Sequence, residues 1–324
     1  MLSLLICCRN EKGLTFKIGS IYIRVISIRA FLKYRNWLPL FQMAINQELL
    51  VVLQEKQKVI DREPFRNFRI DDPKILDCVE GREICGKCYK SRKFFCYTCY
   101  SPVIDQKYFP RVKLPIKIDI IKHAREIDGK STAIHAAILA PDDVRIYTYP
   151  EFPEFLKNER IVLIFPSDTA TTVEQLCTSE YRQGIEYCGK ETQGTLPITR
   201  AVFIDSTWHQ TKAIYKDQRL RDLPCVILKS RISQFWRHQK KSPRWYLATI
   251  EAIHQFMVEL HECAFATTED HVSRSSANSQ ASLPVTKPYS GEYDNLLYFF
   301  KYMYEKIHTI YDHDKLWAYK RPLL

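Results

Sequence analysis

Along most of this chain, short runs of apolar residues take turns with stretches whose apolar positions recur every three to four residues. Apolar positions at helical spacing predict helices over Asn46–Ile60, with Leu49, Leu50, Leu53 and Val59 toward one side, and over Leu247–Cys263, with Ile250, Ile253, Phe256, Met257 and Leu260. Ser131–Leu139 reads as a helix ended by Pro141, and Asp294–Ile310 as an aromatic one. Val112–Ile121 alternates apolar and polar residues and predicts a half-buried strand leading to His123. Val144–Tyr147, Ile161–Phe165, Ala201–Ile204 and Cys225–Leu228 are short strand-like runs, the second stopped by Pro166. A short helix over Gln210–Ile214 follows the third.

Strands alternating with helices predict an α/β fold with a largely parallel sheet flanked by helices, whose ligands collect at the carboxyl ends of the strands. Pro166 and Ser167 stand at one such end, and the polar string Asp205-Ser-Thr-Trp208 at another. Two stretches lack periodicity. Ser179–Thr199, with Gly184, Gly189, Gly194 and Pro197, reads as a mobile insertion, and the Ser/Thr-rich stretch 265–290 as a disordered one. The organisation that results is a basic leader (1–42), a helical segment (43–79), a cysteine module (80–103), the α/β domain (104–264), the insertion (265–290) and a C-terminal aromatic helix with its tail (291–324).

Composition narrows the chemistry. The chain has 324 residues with 9 glycines and no G-x-G, which excludes the usual dinucleotide fingerprint. Gly129-Lys130-Ser131 imitates the end of a phosphate loop, but Ala124 stands where its first glycine is needed. Ile18–Phe31 is interrupted by Arg24 and Arg29, so no apolar run is long enough to predict a membrane span. The net charge of +11 favours polyanionic partners, nucleic acid first. The leader carries seven basic residues and one acid; it reads either as an amphipathic transit segment or as an extension that the fold does not need. Lys229, Arg231, Trp236, Arg237, His238, Lys240 and Lys241 fit a phosphate-binding face interleaved with aromatics, or else a solvated basic helix.

Eleven cysteines without a secretory signal predict reduced thiols, and four of them share a pattern. Cys85-x-x-Cys88 and Cys96-x-x-Cys99 form two knuckles that aim four sulfurs at one point, as a structural tetrahedral Zn²⁺ site requires. A redox dithiol or four unrelated core cysteines are the alternatives. Cys7, Cys8, Cys78, Cys177, Cys188, Cys225 and Cys263 read as ordinary small hydrophobes.

The two cysteine knuckles, Lys130-Ser-Thr-Ala-Ile-His135, Leu163-Ile-Phe-Pro166, Asp205-x-Thr207-Trp208 and Thr249-Ile-Glu-Ala252, in this order, resemble the DTW-domain family over about residues 46–310. Ala124 and Ala248 depart from the proline and serine of many members. The resemblance implies a fold similar to the knotted SPOUT methyltransferases. It also implies a tRNA-uridine aminocarboxypropyltransferase that uses S-adenosylmethionine to make 3-(3-amino-3-carboxypropyl)uridine in the tRNA D-loop. A nuclear location is implied with it, cytoplasm or mitochondrion being the alternatives; no membrane or DNA partner is expected.

Under this reading Asp205 is the general base or orients it, although helix capping alone would also explain it. Thr207 contacts cofactor or phosphate, and Trp208 stacks on a base or packs in the core. Phe165, Pro166, Ser167, Ser206, Thr249, Ile250 and Glu251 line the cofactor pocket, Glu251 being the next candidate base or else a helix-surface acid. Lys130, Ser131 and Thr132 help hold RNA, whereas His123 and His135 are structural. An RNA methyltransferase using the same donor, a catalytically silent RNA-binding zinc protein and a zinc scaffold for protein partners are the competing readings.

Overall fold

The computed structural model describes residues 6–10, 13–18, 21–25, 47–177, 196–239, 242–265, 288–321 and 323. Two compact units divide the chain, Met1–Pro64 and Phe65–Pro322. In the first, β1 (Ile6–Asn10), β2 (Gly13–Ile18) and β3 (Ile21–Val25) pair antiparallel in chain order, and α1 spans Gln47–Arg62. The basic leader contains these three strands. The cysteine module lies in the same unit as the α/β domain.

The second unit opens with two short hairpins. β4 (Glu83–Ile84) pairs with β5 (Ser91–Arg92), and β6 (Phe95–Cys96) with β7 (Ser101–Pro102). Its centre is a sheet built from β8 (Lys117–Lys122), β9 (Val144–Thr148), β10 (Ile161–Ile164), β11 (Thr171–Thr172), β12 (Arg200–Asp205) and β13 (Cys225–Ile227). The spatial order is β11-β13-β10-β12-β8-β9, and every pairing is parallel. Parallel strands need crossovers, and these supply helices for both faces. On one face Ile118, Ile120, Ala201 and Phe203 pack with α2 (Ala133–Leu139), α6 (Thr249–Phe265) and α7 (Tyr298–Ile310). On the other face Ile121, Leu163 and Val202 pack with Ile214 of α4 (Trp208–Tyr215) and Leu220 of α5 (Gln218–Arg221). The remaining short helix, α3 (Val173–Leu176), follows β11 and is capped by Thr172 with Gln175.

The expected strand Val112–Ile121 needs correcting. β8 starts only at Lys117, because Pro115 has no N–H to give a ladder. Val112 and Leu114 are buried all the same: Val112 donates to the Leu139 carbonyl at 2.8 Å, and Leu114 to the Asp143 carboxylate at 2.9 Å. The strand itself is buried from Ile118 to Lys122 with helices on both faces, so it is central and not half-buried. Arg231–Gln239 is likewise no solvated helix: it is irregular chain with Phe235 and Trp236 in the core, their rings 5.3 Å apart and Trp236 5.0 Å from Phe300. Burying such a ring contributes about 1.5–3 kcal/mol, more than a solvated aromatic offers.

The aromatic C-terminal helix holds the cysteine module in place. Phe94 meets Tyr302 edge-on at 5.4 Å, and Phe95 meets Phe299 at 4.9 Å. Most of the expected insertion Ser179–Thr199 lies outside the described residues, as does most of 265–290. Thr199, at the end of the first, ties back to Arg160 at 3.0 Å and leads directly into β12. No described helix is long and apolar enough to cross a membrane.

Candidate active site at the carboxyl edge of the sheet

Asp205 is the last residue of β12, the strand that lies between β8 and β10, and it is only 5% exposed. Two hydroxyls from distant parts of the chain converge on it. Ser131 Oγ donates to Oδ2 at 2.7 Å, and Thr249 Oγ1 donates to Oδ1 at 2.5 Å. Burial pushes the Asp205 pKa above the usual carboxylate range, against the opposing pull of these hydroxyls and of the Lys122 charge. Lys122 is itself buried at the end of β8; burial works against its charge, but its bond to Asp128 and the nearby Asp205 hold it protonated. Glu126 is a second carboxyl in this neighbourhood, its pKa raised by burial and by the Asp205 charge. The carboxyl edge thus holds a buried carboxylate that can exchange a proton, with hydroxyl oxygens as its immediate neighbours.

Asp205 does not cap the helix that follows. That position belongs to Thr207, whose N–H and Oγ1–H donate to Gln210 Oε1 at 3.3 and 2.8 Å. The capping account of Asp205 therefore falls away, and Thr207 is exposed with its hydroxyl given to the cap. Ser206 Oγ shares a hydrogen bond with Thr211 Oγ1 at 2.7 Å.

The start of α6 is the other half of the edge. Thr132 is buried, and its Oγ1 accepts from the Ile250 amide at 3.2 Å, which pins the entry of α2 to the entry of α6. Ile250 is fully buried in the core. Glu251, 1% exposed, is no surface acid: it accepts from Ser233 Oγ at 2.6 Å, the Gln234 amide at 2.7 Å and the Ala248 amide at 2.9 Å. Each contact is made to chain that precedes α6, so Glu251 braces the loop containing Phe235 and Arg237. Phe165 stacks on Tyr215 at 4.1 Å just after β10, with Pro166 exposed and Ser167 partly buried beside it.

The expected RNA face is divided by the structure. Arg237 reaches the Gly129 carbonyl at 3.4 Å and shares a cavity with Lys130, Ser131 and Thr132. Arg231 lies elsewhere, bonded to Gln255 at 3.4 Å and 5.2 Å from the Phe68 ring, in a separate cavity with His254 and Asp294. Lys229 pairs with Glu174 at 2.8 Å. Trp236 is 8% exposed, so it is a core residue and not a free stacking platform. His238 is exposed, 6.3 Å from the Trp317 ring. The Trp208 indole, Lys240 and Lys241 lie outside the described residues. His135 is buried against Phe95 and Phe299, and burial takes its pKa down to about 3, so it is a neutral core residue.

The four sulfurs of Cys85, Cys88, Cys96 and Cys99 lie within 4.8 Å of one another. The two knuckles repeat one geometry: Tyr89 and Tyr100, each directly after its second cysteine, take left-handed φ values of 56° and 52°. Cys99 N–H points at Cys96 Sγ, 3.4 Å away. Burial opposes ionisation of Cys96, yet the amides of Cys99 and Thr98 and the neighbouring thiols bring it down to about 6. Amide donors aimed at sulfur favour thiolate, the form that binds metal, and the donor set suits a closed four-coordinate ion.

An all-parallel sheet with a buried carboxylate at a central strand end defines an α/β enzyme whose ligands meet at that edge. The DTW domain family model matches residues 93–308, and the chain belongs to this family. The chain is 40% identical over 277 residues to tRNA-uridine aminocarboxypropyltransferase 1 of Rattus norvegicus, covering 76% of this chain and 84% of that protein. The protein of the same name from Xenopus tropicalis is 37% identical over 272 residues, covering 75% and 86%. That of Homo sapiens is 35% identical over 304 residues, covering 83% and 93%. No solved structure matches the chain.

Sequence reasoning named Asp205, Ser131 and Thr249 but not their convergence, and it missed Lys122 and Glu126. No local signal carries the hydroxyl pair, because the bonds span 74 and 44 residues. Lys122 alone left a trace, as a lysine at the end of an apolar strand.

Proposed function

We propose that this chain is a tRNA-uridine aminocarboxypropyltransferase that moves the 3-amino-3-carboxypropyl group of S-adenosylmethionine to N3 of a D-loop uridine. The observation that carries the reading is Asp205, a buried carboxylate of raised pKa held by two hydroxyls at the ligand-bearing edge of the sheet. Family membership and the relatives' names support the same activity.

In the reaction, N3 bonds to the γ-carbon as the carbon–sulfur bond breaks, and the bonding pair leaves with sulfur as methylthioadenosine. The sulfonium is already a good leaving group, so the protein's tasks are to align the partners and to take the N3 proton. Asp205 accepts that proton, directly or through the Ser131 or Thr249 hydroxyl. The Thr249 and Ser131 hydroxyls, and after them the Lys122 charge, favour the ionised form of Asp205 against burial. Phe165, Pro166, Ser167 and Thr249 would line the donor pocket, with Thr207 nearby at the start of α4. The four cysteines hold a structural Zn²⁺, for which their spacing and the amide donors at Cys96 are the support. The all-parallel sheet and the family also support a SPOUT-like knotted topology.

The test is incubation of purified protein with tRNA and S-adenosylmethionine, followed by mass spectrometry of the nucleosides and of the spent donor. Aminocarboxypropyluridine with methylthioadenosine is the expected result. Methyluridine with S-adenosylhomocysteine would replace the reading by a methyltransferase, and tight tRNA binding without product by a silent RNA-binding protein.

A further inference from the structure

Between the cysteine module and the carboxyl edge of the sheet lies a cavity of about 230 Å³ with an unusual charge balance. Arg82, Arg92 and Lys93 line it from the module, and Lys130 and Arg237 from the α/β side. Its single acidic residue is Asp128, which is already bonded to Lys122. Among the described residues no carboxylate forms an ion pair with any of the five cations. Arg237 is half-buried, and its nearest recorded partner is a backbone carbonyl. The nearest carboxylates, Asp77 toward Lys93 and Glu126 toward Lys130, act only at a distance, so the cavity keeps a positive balance that favours an anion.

The cavity is held as one piece with the candidate active site. Ser131, on its wall, is one of the two residues that donate to Asp205. From the module side, a Cβ added at Gly129 would lie 3.8 Å from the Tyr97 ring, and Thr98 Oγ1 is 3.5 Å from Asp128. Arg92 is committed to this joint: it lies 3.9 Å over the Tyr97 ring and donates to Thr98 at 3.2 Å. Arg82 and Lys93 are exposed: Arg82 donates to Ser91 Oγ and to the Ser91 carbonyl at 3.1 and 2.8 Å, and the Lys93 ammonium lies 5.2 Å from the Phe94 ring.

We infer that this cavity seats backbone phosphate of the tRNA next to the target uridine, so that the cysteine module is part of the RNA-binding surface as well as a structural element. The inference rests on the proposed tRNA substrate and adds to it two contacts from outside the α/β core, Arg82 and Lys93. Guanidinium and ammonium groups around one cavity match phosphate oxygens, and aromatic walls such as Tyr97 and Phe94 suit a neighbouring base. These contacts position RNA without reading its sequence.

The test compares full-length wild type with the Arg82→Ala/Lys93→Ala double variant and with Lys93→Glu, each checked for fold by its melting curve. Binding of tRNA is measured by fluorescence anisotropy across a salt series, and S-adenosylmethionine binding by calorimetry. The double variant should bind tRNA at least about tenfold more weakly, with a log K against log salt slope shallower by roughly 1.5, as expected for two lost phosphate contacts. Lys93→Glu should also weaken binding, and donor affinity should hold in both. Wild-type tRNA affinity and salt slope in folded variants would overturn the cavity assignment while leaving the activity intact. A wild type that binds no tRNA even at low salt would overturn the substrate reading and this inference with it.

Discussion

Two buried carboxylates brace the same corner of the molecule, Asp205 at the end of β12 and Glu251 in the first turn of α6, yet their donors differ in kind. Glu251 accepts two backbone amides and one hydroxyl, which fix loop to helix. Among the described residues, the Asp205 carboxylate accepts only from side-chain hydroxyls. A backbone amide can do nothing but donate, whereas a hydroxyl can rotate and also accept. The first arrangement holds structure, and the second leaves a carboxylate that can gain and lose a proton. One corner thus separates a brace from a reactive group.

The sharpest break in this comparison is Glu251→Ala. It strands two amides and the Ser233 hydroxyl without acceptors, and should cost on the order of 3 kcal/mol or more in denaturant unfolding. A loss near zero would mean that the brace is idle. The next test concerns pH. If the Asp205 carboxylate takes a proton in the reaction, the rate rises with pH through its raised pKa. Thr249→Val removes the stronger of the two hydroxyl contacts that favour ionisation, so the acid limb of the pH–rate profile should move to higher pH. Ser131→Ala should move it the same way by less. An unmoved limb in both variants would detach the hydroxyls from the titrating group.

The smallest effect is on stability. Because burial raises the folded pKa of Asp205, the folded protein binds its proton more tightly than the unfolded chain does. Its contribution is fully present below the ordinary aspartate pKa and is lost as pH rises through the folded value. Asp205→Asn removes that loss. At neutral pH the variant should match the parent to within about 1 kcal/mol, with the balance moving toward the variant as pH rises, checked by melting curves over pH. The opposite trend with pH would contradict the raised pKa.

What could be read in advance was local. The two knuckles announce themselves within a few residues, since ligand spacing and tight turns are short-range properties, and the structure brings all four sulfurs together. Ile161–Ile164 and Arg200–Asp205 were legible as buried strands because continuous apolar runs have few other uses. The true start of β8 was obscured by Val112, Leu114 and Ile116, which are buried outside any strand. The aromatic–basic stretch around Trp236 misled for a related reason: composition does not say which of two neighbours, Trp236 or Arg237, faces the core. The Ser131–Asp205–Thr249 contact and the cation-lined cavity depend on the topology that assembles them, and no window of sequence contains them.

The central claim is that the Asp205 carboxylate does chemistry, and single-turnover transfer by Asp205→Asn tests it most directly. Asparagine keeps the size and can still accept from a hydroxyl, but it cannot take a proton as a carboxylate does. With tRNA and S-adenosylmethionine bound at saturation and the melting curve intact, the account predicts a rate lower by roughly 10²-fold or more. A near-parental rate would contradict it and make Asp205 a packing residue.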